Sequence, residues 1–286
     1  MTIRSSKPTP LPVFLAALAA CVHPPGAPTM SANASATPTK LHADDGGPPS
    51  DLPVVLLHSA AGDGTHYAAQ LRHLRAERRA IALDLRGHGR SPTVASFAVE
   101  EAATDVLAAL DARGIDRFVL VGHSWGGAVA VAVAGARPER VAALLLLDPA
   151  SDGRLIPPDV ARGLMRSLAE DYGGVVRAYW ASMLGGARPA VRDRLMGEIA
   201  KARREVVVGT LESLLTFDPV TPLSRYRGPK RTVITPLSER SDAYHRLVPD
   251  LAVTRVEGTG HWLQLDAPDR VNSILDDFLV AVKAAR

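Results

Sequence analysis

The stretch FVLVGHSWGGAVAVAVA, residues 118–134, constrains the fold more than any other part of this chain. An apolar run of strand length is followed by an alanine- and valine-rich segment of helical length. Only a few small or polar residues separate them, so the chain must pass from strand to helix through a sharp turn. Gly122-His123-Ser124-Trp125-Gly126 fits Gly-x-Ser-x-Gly, a pattern that carries chemical meaning when a strand precedes it and a helix follows. At such a turn the serine backbone is strained, and side chains two residues to either side would collide, so glycine belongs at 122 and 126. The Trp125 backbone N–H then points at a carbonyl oxygen under attack, and the helix N-terminus favours negative charge there. Ser124 is thus a candidate nucleophile as well as part of a turn.

The rest of the chain supplies matching elements. LPVVLLH (52–58), AIALDL (80–85), RFVLVG (117–122), VAALLLLD (141–148), KRTVITP (230–236) and LAVTRVEG (251–258) are continuous apolar or β-branched runs, as expected of buried parallel strands. Between them THYAAQLRHLRAERR, VEEAATDVLAALDARG, GGAVAVAVAGARPER and PDRVNSILDDFLVAVKAA carry apolar residues at helical spacing, and Gly114 closes the second. The alternation predicts an α/β fold, a mostly parallel sheet with helices on both faces. From Pro149 to Gly228 the rhythm breaks, and only helical pieces follow one another. The expected organisation is therefore a core in two parts, 51–148 and 229–286, with a helical insertion over 149–228.

A serine hydroxyl needs a base to take its proton. His261, in VEGTGHW, falls directly after the last predicted strand and before the C-terminal helix, where loops at the carboxyl ends of strands converge. His42, His66, His73 and His245 read as ordinary solvated or packed histidines. The nine histidines show no paired metal-ligand spacing, and a single cysteine, Cys21, rules out an intramolecular disulfide and any cysteine-based zinc site, so no metal is expected. The net charge of only +3, with arginines scattered among acids, gives no basic block for nucleic acid.

The N-terminus admits two readings. Arg4 and Lys7 precede LPVFLAALAA, about half the roughly 20 residues that span a bilayer. The run ends at Cys21 in the manner of a bacterial lipoprotein signal (1–21), in which the cysteine carries a lipid anchor. Translation from Met30 would instead give a cytoplasmic protein. Residues 22–50 have the Pro, Ala, Ser, Thr and Gly content of a flexible linker leading into the core.

LLHSAAGDG, DLRGHGRS, LVGHSWGG, LLLLDPA and VEGTGHW, in this order, resemble the α/β-hydrolase superfamily of the type with a helical cap, over roughly residues 40–286. The resemblance implies Ser124 as nucleophile and His261 as base. It implies an oxyanion hole from the backbone N–H groups of Ala60 and Trp125, with Ser59 an alternative donor because serine replaces the usual glycine there. Gly87, His88 and Gly89 correspond to a structural turn with no catalytic part. For the acid, most relatives use a turn after the strand before the last, where Glu239 and Asp242 lie. Others place it after the strand following the nucleophile helix, where Asp148 sits 24 residues past Ser124. Asp148 is preferred here, with Glu239 next and Asp242 third.

Serine in place of aspartate at 124 argues against epoxide hydrolase and haloalkane dehalogenase chemistry. What remains is attack on an ester, lactone or thioester through an acyl-enzyme, with no cofactor. The alternatives are a carbon–carbon bond hydrolase, a perhydrolase-like enzyme or acyltransferase on the same residues, or a ligand-binding protein on this frame. Trp262, Trp180, Met183 and Phe217 are the residues expected to line an apolar substrate pocket between sheet and cap.

Overall fold

Successive residues of a strand point to opposite faces of a sheet, so an uninterrupted apolar run is satisfied only where both faces are covered. The chain obeys this. A computed structural model describes residues 37–284. The expected signal segment with Cys21, the alternative start at Met30 and linker residues up to 36 lie outside that range.

Seven strands form one sheet: β1 (His42–Gly46), β2 (Val54–Leu57), β3 (Ala80–Asp84), β4 (Phe118–His123), β5 (Val141–Leu147), β6 (Lys230–Ile234) and β7 (Ala252–Arg255). Their spatial order is β1-β3-β2-β4-β5-β6-β7, and every pair is parallel except β1 with β3. The helices are α1 (Ala68–Leu74), α2 (Val99–Asp111), α3 (Trp125–Ala136), α4 (Pro158–Glu170), α5 (Tyr172–Met183), α6 (Pro189–Ile199), α7 (Arg204–Thr216), α8 (Val220–Arg225), α9 (Tyr244–Leu247), α10 (Leu263–Asp266) and α11 (Pro268–Ala284). Five of them, α4 to α8, stand consecutively between β5 and β6.

Val55, Leu57, Ile81, Leu83, Leu120 and Leu144 belong to one apolar cluster, with residues of α2 and α3. Their strand neighbours Val54, Leu56, Ala80, Ala82, Val121 and Leu145 belong to a second, with residues of α1 and α11. Each fully buried leucine contributes on the order of 1.5–3 kcal/mol, so the central strands carry much of the stability. A third cluster lies in the helical insertion, where Leu168, Val176, Trp180, Leu184, Leu195 and Val207 pack together and take in Trp262. Among the described residues no helix is long and apolar enough to cross a membrane.

Two strands depart from expectation. β1, His-Ala-Asp-Asp-Gly, has no apolar run to announce it. It holds the sheet edge through its ladder to β3, with Asp44 and Asp45 paired to Arg75 and Arg79 at 2.8 and 2.7 Å. β7, expected to be buried, is an edge strand whose Ala252 and Arg255 are exposed, because nothing pairs beyond it.

Candidate active site

The β4–α3 connection is tightly constrained. Every residue from 118 to 134 is buried except Ser124, so the sheet and the helix present one side chain outward. Ser124 adopts φ 53°, ψ −118°, a conformation that costs an L-residue roughly 1–3 kcal/mol and persists only where its surroundings enforce it. Its amide donates to the Leu147 carbonyl at 3.2 Å. A Cβ at Gly122 would run into the Gly126 carbonyl, and one at Gly126 into the carbonyls of Leu57 and His58, so both glycines are required by close backbone approach.

In the sheet register His123 lies beside Leu147, which places Ser124 and Asp148 at the carboxyl ends of neighbouring strands. Asp148 also has a positive φ, 40°, and is fully buried. A buried carboxylate needs donors, and it has three. The Thr235 amide donates at 2.8 Å, the Thr235 hydroxyl at 3.0 Å and His261 Nδ1 at 2.7 Å. With Nδ1 donating, His261 carries its Nε2 as the acceptor face.

The backbone around His261 is held on both sides. Its amide donates to the Met183 carbonyl at the end of α5, and its carbonyl accepts from His123 Nε2 at 3.0 Å. Gln264 donates to His123 Nδ1 at 3.1 Å, which fixes the His123 tautomer. Asp266 accepts the Gly260 amide with one oxygen and the Arg188 amide, next to α6, with the other, both at 2.9 Å.

Of the alternative acids, neither reaches His261. Glu239 is engaged by Arg255 at 2.9 Å and by Arg246, and these partners hold its carboxyl down at about 2. Asp242 pairs with Arg240 at 2.9 and 2.6 Å.

The turn after β2 faces this group. The amides of Ser59, Ala60 and Trp125 meet no acceptor among the described residues. Serine at 59 fits because the positive φ of this loop falls on Ala61, at 57°. The Ser59 hydroxyl is used: it accepts the Trp262 indole N–H at 3.1 Å and ties the loop to the residue next to His261. Trp180 stacks near Trp262 at 6.4 Å, and Met183 packs on the same cluster. Phe217 is instead buried in the cluster that holds Trp125 and Ala60.

Sequence reasoning did not single out Thr235 or His123. His123 could have been marked as the residue preceding Ser124, but Thr235 meets Asp148 only through the register of β5 and β6.

Burial pushes three imidazoles down: His58 to about 4, His88 to about 3, and His123 well below the ordinary 6.5. In the unfolded chain these groups take up protons near pH 6.5, whereas the folded protein excludes them. The stabilisation is complete above pH 6.5 and is lost as pH falls toward 4. The urea midpoint should therefore drop steadily between pH 6.5 and 4.5, and a midpoint constant over that interval would contradict the assignment.

The profile of the α/β hydrolase family matches residues 54–274. The chain belongs to that family. A lipase, LipV, of Mycobacterium tuberculosis is 43% identical over 110 residues, covering 38% of this chain and 42% of that protein. The dihydrolipoyllysine-residue acetyltransferase component of an acetoin cleaving system of Pseudomonas putida is 31% identical over 253 residues, covering 79% of this chain and 63% of that one. This chain thus spans less than two thirds of these curated relatives' length. Among solved structures, a thermophilic esterase from Thermogutta terrifontis is 25% identical with a TM-score of 0.73, covering 85% of this chain and 93% of that one. Est816, described as an N-acyl homoserine lactone degrading enzyme, is 25% identical with a TM-score of 0.70, covering 84% and 97%.

Proposed function

We propose that the protein is a serine hydrolase acting on carboxylic esters or lactones through an acyl-enzyme. The observation that carries this reading is the buried Asp148 carboxylate receiving His261 Nδ1–H at 2.7 Å, one residue past the β5 position paired with the residue before Ser124. Ser124 Oγ attacks the substrate carbonyl while His261 Nε2 takes its proton. Asp148 keeps the imidazole in the required tautomer and stabilises its charged form. The amides of Trp125 and of Ala60, or Ser59, hold the tetrahedral oxyanion, and the start of α3 adds its dipole. His261 then returns the proton to the leaving alcohol and activates water to release the acid.

Residues 149–228 act as a cap over the carboxyl ends of the strands. Trp180 and Met183, with Trp262, give the acyl or alcohol side an apolar wall, while Phe217 packs behind it in the cluster of Ala60 and Trp125. The lipase, esterase and lactone-degrading enzyme among the relatives support an ester or lactone substrate. A panel of p-nitrophenyl esters from acetate to palmitate, with γ-butyrolactone and acyl homoserine lactones, tests this. At least one class should be turned over at a rate that Ser124→Ala abolishes. Folded protein inert to the whole panel, or turnover retained in Ser124→Ala, would contradict it.

A further inference from the structure

The turn Asp-Leu-Arg-Gly-His-Gly, residues 84–89, carries no role in the mechanism above, yet it aims a buried imidazole at the loop after β2. We infer that His88 is a positioning residue for the oxyanion hole, holding the 59–61 loop in its donor-outward conformation; this rests on the serine-hydrolase reading of the site.

The Ala61 amide donates to His88 Nε2 at 3.1 Å, and His88 Nδ1 donates to the Arg86 carbonyl at 2.8 Å. The second bond settles the tautomer. With its proton on Nδ1, the ring offers Nε2 as a pure acceptor. Ala61 is the residue of this loop with positive φ, so the bond restrains the strained position next to the proposed donor Ala60. The same ring lies 5.3 Å from that of Trp125, the other donor residue, tilted by 31°. One imidazole thus touches both walls of the proposed hole.

The surroundings fix His88 in turn. Gly87 and Gly89 have φ of 74° and 51°, and a Cβ at Gly89 would strike the Asp84 carboxylate, so the turn has one shape. Arg86 is anchored to α2 through Asp105 at 2.7 Å and through Glu101. His58 repeats the arrangement from the other direction, accepting the Leu85 amide at 2.9 Å on Nε2 while its Nδ1 donates to the Ser59 carbonyl. The two rings stand 5.0 Å apart and interlock the turn after β3 with the loop after β2. Burial holds the His88 ring uncharged, its pKa pushed down to about 3. Protonation would turn a donor toward the Ala61 N–H and break the contact.

The test compares wild type with His88→Phe, which keeps a ring but has no acceptor, and His88→Gln, whose side-chain oxygen can accept the Ala61 amide. With p-nitrophenyl acetate, His88→Phe should lower kcat about 10²-fold, the size of losing one oxyanion donor, with KM within about threefold. Labelling of Ser124 by a fluorophosphonate should slow in parallel, and His88→Gln should regain at least about tenfold. A role in folding alone would not separate kcat from KM in this way. Folded His88→Phe with kcat within about threefold of wild type, or His88→Gln no faster than His88→Phe, overturns the inference. Should the variants not fold, ¹⁵N-histidine spectra of the wild type decide: His88 must show the Nδ1–H tautomer at pH 7, and an Nε2–H tautomer or a cation overturns it. Wild-type protein inert to both ester and probe overturns the serine-hydrolase reading itself, whereas an active wild type with an unaffected His88→Phe overturns only the role of His88.

Discussion

Asp148→Asn should lower kcat for ester hydrolysis by about 10⁴-fold, the scale seen when a triad carboxylate is made an amide. The three groups facing this carboxylate, Thr235 N–H, Thr235 O–H and His261 Nδ1–H, all donate. An amide has one oxygen, so its NH₂ must face either Thr235 or the imidazole. Turned toward His261, it forces the ring to accept at Nδ1 and carry its proton on Nε2, where it can no longer take one from Ser124. Turned toward the Thr235 N–H, at the Oδ1 position, it sets two donors against each other and loses a bond that holds β5 and β6 at this depth, so the first orientation is favoured. KM should change little, since Asp148 is fully buried. Glu239→Gln and Asp242→Asn should keep kcat within about threefold, because their carboxylates answer arginines. The opposite pattern, with Asp148→Asn active and Glu239→Gln impaired, would move the acid to the loop after β6.

Gly126→Ala should destabilise the protein by about 3 kcal/mol, the upper range for forcing an extra methyl group into a packed site. The new Cβ has no room, for it meets the backbone carbonyls of Leu57 and His58, and neither can swing aside as a side chain would. Relief would require α3 to lift from β2, and α3 is buried along nearly its whole length. For a chain of this size the melting temperature should fall by roughly 6–12 °C, and the esterase activity should fall further because the β4–α3 turn that carries Ser124, the elbow, itself shifts. Gly163→Ala is the control. It lies in α4 with nothing within 4 Å of the added Cβ, so it should stabilise by roughly 0.5–1 kcal/mol. Equal effects of the two substitutions, read from thermal melts, would show that the turn tolerates a side chain.

These two residues also mark how far the sequence could be read. The elbow was legible because steric need writes itself locally: strand, glycine, serine, glycine and helix stand within a dozen residues. The central strands were legible because burial on both faces demands an unbroken apolar run. The edges were not. β1 is held by its ladder to β3 and by charge pairs, which no apolar pattern records, and β7 reads like a buried strand until its lack of an outer neighbour is known. The proposed acid was half legible. Asp148, Glu239 and Asp242 all follow strands that end near one another, and only the register of β5 on β6, with Thr235 donating twice, separates the carboxylate that meets His261 from two that do not. The bonds of His123 and His88 were not legible for a related reason, since an accepting ring nitrogen depends on which amide, the Gln264 side chain or the Ala61 backbone, is folded against it.

We propose Ser124 as the nucleophile of an acyl-enzyme. The most direct measurement is reaction of the folded protein with a fluorophosphonate, followed by mass mapping of the modified peptide. One adduct is expected, on Ser124 in the peptide containing GHSWGG, and none on Ser124→Ala at matched folding. Labelling absent from the wild type, or undiminished in Ser124→Ala, would contradict it.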